Sequence, residues 1–303
     1  MTLVLLVFIM VTGAAVRLTG SGLGCSTWPR CESDSFTPHG ANSINGWIEE
    51  GNRLVTAAVG IVTVVAAVGA RRRRPRRDDL VRWSTGLPIW VFANGLVGAM
   101  VVWLHLTPVS VIGHFLLSLG ALWNALVLHA KACEPDRSAD EVRRPVVVPS
   151  LRRAGDALLV LAGLALITGT VVTGSGPHAG DEDAKRLPFG IEAAARVHGL
   201  AVLLFLGVTL FVLARASDGD ASPRVLSRLR VLIGVAVVQG AIGYTQYFTG
   251  VPALLVGIHV LGSALVWLAV LNVRLGMTEP ESWGLGGTRA TMDGDADRRL
   301  SAA

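Results

Sequence analysis

Long apolar stretches alternate with short polar segments along almost the whole chain. A helix that crosses a membrane needs roughly 20 mostly apolar residues, and eight stretches are close to that length and carry few charges. The pattern predicts eight transmembrane helices, over residues 2–16, 47–70, 84–104, 110–130, 155–172, 191–214, 231–248 and 254–275. We interpret the first stretch as a retained helix, because no basic residue precedes it as in a signal peptide.

Polar residues inside these stretches recur at matching places in the two halves of the chain. His114 follows the pair Asn94–Gly95 by twenty residues, and His259 follows the pair Gln239–Gly240 by the same interval. A histidine inside a membrane segment is costly unless it binds or pairs with something. A repeat that places one in each half therefore suggests a bound cofactor.

A second motif supports the repeat and organises the chain. Thr-Gly followed shortly by Thr-Gly-Ser-Gly begins at Thr12 and again at Thr168. The predicted fold class is all-α: a polytopic membrane protein whose eight helices form two pseudo-symmetric four-helix bundles, related by an axis along the membrane normal. The predicted parts are an N-terminal half over 1–131, a cytoplasmic basic linker over 132–154, a C-terminal half over 155–275 and a disordered tail over 276–303.

Composition and charge agree with a membrane protein and orient it. Hydrophobic residues make up 51% of the chain and charged residues only 16%. Of the 27 basic residues, twenty fall on one side of the predicted topology, in residues 71–77, 131–153 and 215–230 and in the tail from Arg274. Loops rich in Lys and Arg stay in the cytoplasm, so we expect a cell-membrane protein with both termini cytoplasmic and the loop 18–46 external. Topology accounts for the arginine run, so nucleic-acid binding is not predicted.

The three cysteines divide between the two sides of the membrane. Cys25 and Cys31 lie in the external loop, where a disulfide can form and persist, whereas Cys133 falls in a cytoplasmic loop. We predict a Cys25–Cys31 disulfide. A structural staple and a redox role both remain open for it, and zinc is disfavoured because only His39 lies near as a further ligand.

Four polar residues share one depth near the external surface. Helices two, four, six and eight run inward from that side and carry, in their second turns, Asn52, His114, His198 and His259. A lone membrane histidine most simply hydrogen-bonds a neighbouring helix, but this shared depth favours metal ligation by all three histidines. His198 and His259 can supply two axial nitrogens to one haem iron, whereas zinc would need two further ligands.

Several segments resemble the haem A synthase family. They are GSGLGCSTWPRC at Gly20–Cys31, WIEEGNRL at Trp47–Leu54, GHFLLSL around His114 and IHVLG around His259. The resemblance covers the chain up to about Met277. It implies an eight-helix membrane enzyme that oxidises the C8 methyl group of haem O to the formyl group of haem A, for use in cytochrome c oxidase.

The resemblance also implies roles for individual residues. His198 and His259 would bind a permanent haem b, and His114 would bind the substrate haem O, with its methyl group near Glu49. A carboxylate there suits proton transfer or stabilisation of a cationic intermediate. Many family members carry a histidine where this chain has Asn52, which leaves Asn52 as a weak ligand, a hydrogen-bond donor to bound water or a packing residue.

Two arginines beside these positions are open to more than one interpretation. Arg53 and Arg196 are candidates for binding the propionates of the substrate haem and of haem b, respectively, or for snorkelling at the interface. Glu50 is expected to point away from Glu49 and to be solvated.

A different class of function uses the same ligands. A dihaem b-type electron carrier or haem-transfer protein would bind the haems without altering the porphyrin, but it needs no buried acid such as Glu49. The expected partners of an enzyme are haem O, membrane lipid and the haem O synthase that supplies the substrate. The sequence leaves the oligomeric state open, including a homo-oligomer, and carries no signature of the electron acceptor.

Overall fold

The chain folds into a set of long helices that follow the apolar pattern. A computed structural model describes residues 1–39, 43–134, 136, 143–219 and 221–280. Their helices are α1 (Thr2–Leu18), α2 (Ser43–Arg72), α3 (Asp78–Trp103), α4 (Pro108–Ala132), α5 (Pro149–Ser175), α6 (Ile191–Asp218), α7 (Pro223–Phe248) and α8 (Ala253–Gly276). Seven are long and apolar enough to cross a membrane, and α1 is a shorter apolar helix of 17 residues. The prediction of a largely helical chain is confirmed, and seven of the eight predicted spans have the length and composition of a membrane-spanning helix.

Local sequence sets where the helices begin. Pro108, Pro149 and Pro223 lie in the first turns of α4, α5 and α7. Backbone amides in the first turn of a helix have no intrahelical acceptor, so proline, which lacks the amide hydrogen, costs no hydrogen bond there. Ser222 caps α7 by accepting a hydrogen bond of 3.4 Å from the amide of Val225. Because these first turns are polar or basic, α5 and α7 begin well before the starts at residues 155 and 231 that the apolar pattern predicts.

The packing of the helices places α2 and α4 on a diagonal of the first half, and α6 and α8 on a diagonal of the second half. In the first half α2 and α4 both pack against α1 and α3, and in the second half α6 and α8 both pack against α5 and α7. The halves meet where α8 packs against α1 and α4, and where α4 packs against α5. At this junction Trp267 of α8 donates its indole N–H to the carbonyl of Leu119 of α4, at 3.0 Å.

One end of the helices, here called the disulfide face, carries the loops 19–39, 104–107, 176–190 and 249–252. These loops contact one another both between the halves and within the second half. The amide of Gly22 donates to the carbonyl of Gly180 at 2.8 Å. The Nε2 atom of His178 lies 2.9 Å from the carbonyl oxygen of Val251. The loops therefore form one layer over this end of both halves.

The opposite end, here called the arginine face, carries residues 73–77, 133–134, 136, 143–148 and 277–280. Arg77 is only 5% exposed and joins two of these parts. Its guanidinium donates to the carbonyls of Lys131 and Glu134, both at 3.0 Å, and pairs with Asp79 at 2.8 Å. These bonds hold the loop between α2 and α3 against the end of α4.

A small sheet on the arginine face corrects the predicted start of the tail. Strand β1 (Arg143–Pro145) pairs antiparallel with β2 (Thr278–Pro280), and the amide of Val146 donates to the carbonyl of Met277 at 3.0 Å. The sheet departs from the purely α prediction. Residues 276–280 were predicted to start a disordered tail, but they finish α8 and form a strand, because backbone pairing with the linker orders them. The rest of that prediction, over 281–303, lies outside the described residues.

Candidate haem sites and the buried carboxylate

His198 is held in one orientation by α5. Its Nδ1 atom lies 3.0 Å from the carbonyl oxygen of Ala165 and 3.2 Å from the hydroxyl of Thr168. Because a carbonyl can only accept, Nδ1 carries the hydrogen and donates it. This leaves the lone pair on Nε2, which is the form in which an imidazole binds a metal, with its other nitrogen bonded to a second group.

His259 lies on α8, the helix diagonal to α6. His198 lies against Gly169 of α5 and His259 against Gly243 of α7, and both of these helices pack against α6 and α8. The Nδ1 atom of His259 is buried without a hydrogen-bond partner among the described residues, and so is that of His114. A buried polar atom without a partner costs about 1–3 kcal/mol, so these rings are not explained by packing alone.

Each of the three imidazoles lies against a glycine of a neighbouring helix. A Cβ atom added to Gly169 would lie 3.1 Å from Cε1 of His198, and one added to Gly243 would lie 3.0 Å from Cε1 of His259. The repeat-related Gly98 would place it 3.5 Å from Cε1 of His114. Glycine thus lets the rings pack directly on the helix backbone.

Asn52 lies at the place in the first half that His198 holds in the second. Thr12 donates to Oδ1 of Asn52 at 2.8 Å, as Thr168 contacts the imidazole of His198. Gly13 follows Thr12 as Gly169 follows Thr168, but a Cβ on Gly13 would meet nothing within 4 Å. The smaller side chain of Asn52 leaves this position of the repeat more open.

Glu49 is a buried carboxylate held at both of its oxygens. The residue is 5% exposed. Its Oε2 accepts from the amide of Cys25 at 2.8 Å, and its Oε1 accepts from Nη2 of Arg53 at 2.6 Å. Glu49 lies three positions before Asn52 on α2, so the two residues share a helix face.

A disulfide joins Cys25 to Cys31 beside this carboxylate. Both cysteines are fully buried. The two sulfur atoms and a carboxylate oxygen of Glu50 lie within 4.8 Å of one another. The expectation that Glu50 is solvated is wrong: its side chain is 15% exposed, and its Oε2 is buried without a hydrogen-bond partner among the described residues. The disulfide loop folds over the start of α2 and covers it.

The two candidate propionate ligands have different surroundings. Arg53 is 16% exposed and is occupied by Glu49 and by the disulfide loop. Arg196 is 81% exposed and lies 3.7 Å from Glu192, one helical turn away. Propionate binding by either arginine stays a prediction.

Comparison with known proteins places the chain in a family. The family model described as cytochrome oxidase assembly protein, COX15-CtaA, matches residues 1–180, which is more than half of the chain. The chain belongs to the COX15-CtaA family. The matched region contains Glu49, the disulfide and His114, while His198 and His259 lie beyond it.

Curated relatives of this family member extend the likeness to the second half. A haem A synthase of Alkalihalophilus pseudofirmus is 25% identical over 299 residues, which span 90% of this chain and 93% of that protein. A haem A synthase of Halalkalibacterium halodurans is 25% identical over 83% of this chain and 84% of its own. One of Geobacillus kaustophilus is 31% identical, but over only 35% of this chain and 32% of its own.

Sequence reasoning missed the residues that contact two of the candidate ligands. Thr12 and Thr168 were recognised only as marks of the repeat, yet their hydroxyls contact the side chains of Asn52 and His198. The carbonyl of Ala165 carries no sequence signal at all. The threonines could have been found by helical phase, since Thr168 lies three residues after Ala165 and therefore on the same face of α5.

Proposed function

We propose that this chain is a haem A synthase, an enzyme that oxidises the C8 methyl group of haem O to a formyl group and so produces haem A for cytochrome c oxidase. The observation that carries the proposal is its likeness, over 90% of the chain, to a protein named haem A synthase. The buried carboxylate of Glu49 supports it further, because a protein that only carries electrons needs no such acid.

The proposed arrangement has eight membrane spans in two pseudo-symmetric four-helix bundles, one formed by α1–α4 and one by α5–α8, joined by the basic linker. The packing of α1–α4 and of α5–α8 supports it. The 17 residues of α1 lie at the lower limit of the range for a span. The arginine face would be cytoplasmic, with both termini on that side, because basic loops are retained there.

The second half is proposed to hold a resident haem b through His198 and His259. The residues fit such a group, because Nδ1 of His198 is fixed as a donor and the buried Nδ1 atom of His259 has no described partner. Bound haem b would supply an iron that takes up and releases single electrons. Ala165 and Thr168 hold one ligand ring in place, and Arg196 is the proposed propionate partner at the outer end of α6.

The first half is proposed to bind the substrate haem through His114, with Asn52 on the opposite helix. A substrate that must leave gains little from two tight ligands, and the side chain of Asn52 is already hydrogen-bonded to Thr12. Haem O is therefore expected to bind through one imidazole. The haem O synthase that supplies it is a proposed partner, together with membrane lipid.

Glu49 is proposed to act on the methyl group under oxidation. With water as the oxygen source, conversion of a methyl to a formyl group releases four protons and four electrons, and an external acceptor takes up the electrons. A buried carboxylate can accept a proton at Oε1 or Oε2 or stabilise positive charge. Both oxygens are fixed by donors, so the group is oriented before substrate binds.

Conversion by membranes tests the function directly. Membranes from cells that make haem O but lack their own haem A synthase are compared with and without this chain, and extracted haems are separated by chromatography. The proposal predicts haem A only when the chain is present. Haem O that remains unconverted, with haem B bound to the protein, would instead support a dihaem b-type electron carrier or a haem-transfer protein.

A further inference from the structure

The disulfide loop presents backbone carbonyls to one guanidinium. Nη2 of Arg53 donates to the carbonyl of Thr27 at 3.0 Å. Nη1 donates to the carbonyl of Arg30 at 3.2 Å and lies 3.5 Å from that of Pro29. All three carbonyls belong to the segment that the Cys25–Cys31 disulfide closes, so Arg53 is bonded to the loop along most of its length.

The same guanidinium also holds the carboxylate of Glu49, through Nη2 and Oε1 at 2.6 Å. The other oxygen, Oε2, accepts from the amide of Cys25, which begins the disulfide loop. Helix α2, the loop and the carboxylate therefore form a closed ring of hydrogen bonds. The loop positions Glu49, and Arg53 positions the loop.

We propose that Arg53 is a positioning residue that clamps the disulfide loop onto Glu49 and so sets the direction of its carboxylate. This inference rests on the proposed function, because it matters for turnover only if Glu49 acts on the substrate. It assigns Arg53 a role different from propionate binding. Arginine suits the role because its planar fork donates to several acceptors in fixed directions, which the single ammonium of lysine cannot do.

The clamp gives the disulfide a structural role, because the disulfide restricts the loop that positions Glu49. Closing residues 25–31 into a ring restricts the directions in which the carbonyls of Thr27 and Arg30 can point. If the disulfide is reduced, the loop gains freedom, and both the amide of Cys25 and the carbonyl acceptors of Arg53 lose their fixed positions. Glu49 is then expected to become less well oriented.

Tryptic cleavage after Arg30 measures the clamp without any turnover. A cut there leaves two fragments joined by the Cys25–Cys31 disulfide, so it is seen only after reduction of the sample. We expect Arg53→Gln to be cut several-fold faster than wild type and Arg53→Lys to be intermediate. The matched control is Arg186→Gln on the same face, an exposed arginine that donates to the carbonyl of Gly176; it should be cut at the wild-type rate.

Kinetics with haem O separate the clamp from propionate binding. A misplacement of about 1 Å can cost roughly 100-fold in rate, so Arg53→Gln should lower kcat by about that factor and leave KM unchanged. Arg53→Lys should recover part of the loss. A raised KM with an unchanged kcat would overturn the clamp and support a propionate contact.

Further controls keep the inference testable. The optical spectrum of haem b in Arg53→Gln reports whether the second half is folded. If that variant does not fold, tryptic cleavage and kinetics are both measured on Arg53→Lys. If folded Arg53 variants are cut at the wild-type rate and keep the wild-type kcat, the proposal is overturned. If the wild-type protein converts no haem O, the proposed function fails, whereas faster cleavage in Arg53→Gln would still support the structural clamp.

Discussion

Thr168 Oγ1 lies 3.2 Å from Nδ1 of His198, which places a hydroxyl of α5 directly behind a candidate haem ligand of α6. The imidazole also donates to the carbonyl of Ala165 at 3.0 Å. Groups bonded to the second nitrogen of a ligating histidine fix the ring and tune its basicity, and their loss typically lowers metal affinity 10- to 100-fold. The relationship can therefore be tested by mutation.

Thr168→Val removes the hydroxyl and keeps the shape of the side chain. We expect haem b affinity to fall by about tenfold, the lower end of that range, because the bond to Ala165 remains. Haem titration of the purified variant measures the change. Thr245→Val is a suitable control, since its hydroxyl bonds the carbonyl of Ala241 within its own helix and is exposed. Equal haem b affinity in Thr168→Val and wild type would contradict the role.

Alanine substitutions at the glycines beside the imidazoles should lower haem binding to different extents. Gly243→Ala should displace the ring of His259, because the added Cβ would lie 3.0 Å from Cε1, and should lower the amount of bound haem b. Gly98→Ala should be tolerated, since its Cβ would lie at an ordinary 3.5 Å from Cε1 of His114. The haem content per protein is the measurement.

Gly240→Ala is the matched control for this series, as it lies one turn away on α7 and its Cβ would meet nothing within 4 Å. Alanine is favoured over glycine in a helix by up to about 1 kcal/mol, so this variant should be at least as stable as wild type. If Gly240→Ala and Gly243→Ala lost haem to the same extent, the effect would belong to the helix and not to the ring of His259.

Asn52→His should add a second imidazole to the substrate site. The place has room, because a Cβ on the neighbouring Gly13 would meet nothing within 4 Å. We expect substrate haem to bind more tightly, with the optical spectrum of a bis-histidine haem, and turnover to slow because the product leaves less readily. An unchanged spectrum and affinity would show that residue 52 does not face the iron.

Glu49→Ala should stop conversion while haem b stays bound. General acid or base groups contribute about 10²- to 10⁴-fold to rates, so we expect a loss of at least about 100-fold, measured as haem A formed per bound haem b. Glu182→Ala, an exposed acid on the same face, should keep wild-type activity. Retained conversion in Glu49→Ala would remove this carboxylate from the mechanism.

The helices could be predicted from sequence because each is an apolar run of membrane length. The repeat also led to the histidines, since equal spacing in two halves placed His114 and His259 at one depth. The starts of α5 and α7 were missed for a physical reason. Their first turns are basic or polar, so proline and capping residues determine where the helices begin, while the apolar pattern starts later.

The contacts of the disulfide loop could not be read from sequence. Burial of Glu50 and the bonds from Arg53 to Thr27 and Arg30 depend on how an irregular loop folds back over α2. Such a path has no periodicity. The same holds for β1 and β2, whose three-residue strands are joined by backbone pairing across more than 130 positions of the chain.

The haem content of the purified protein tests the central claim most directly. Haems are extracted with acidified solvent and identified by chromatography and mass, from wild type and from the variants His198→Ala and His259→Ala. We expect haem B together with haem O or haem A in the wild type, and loss of haem B in both variants. A colourless wild-type preparation from cells supplied with ample porphyrin, or haem B retained in both variants, would contradict the account.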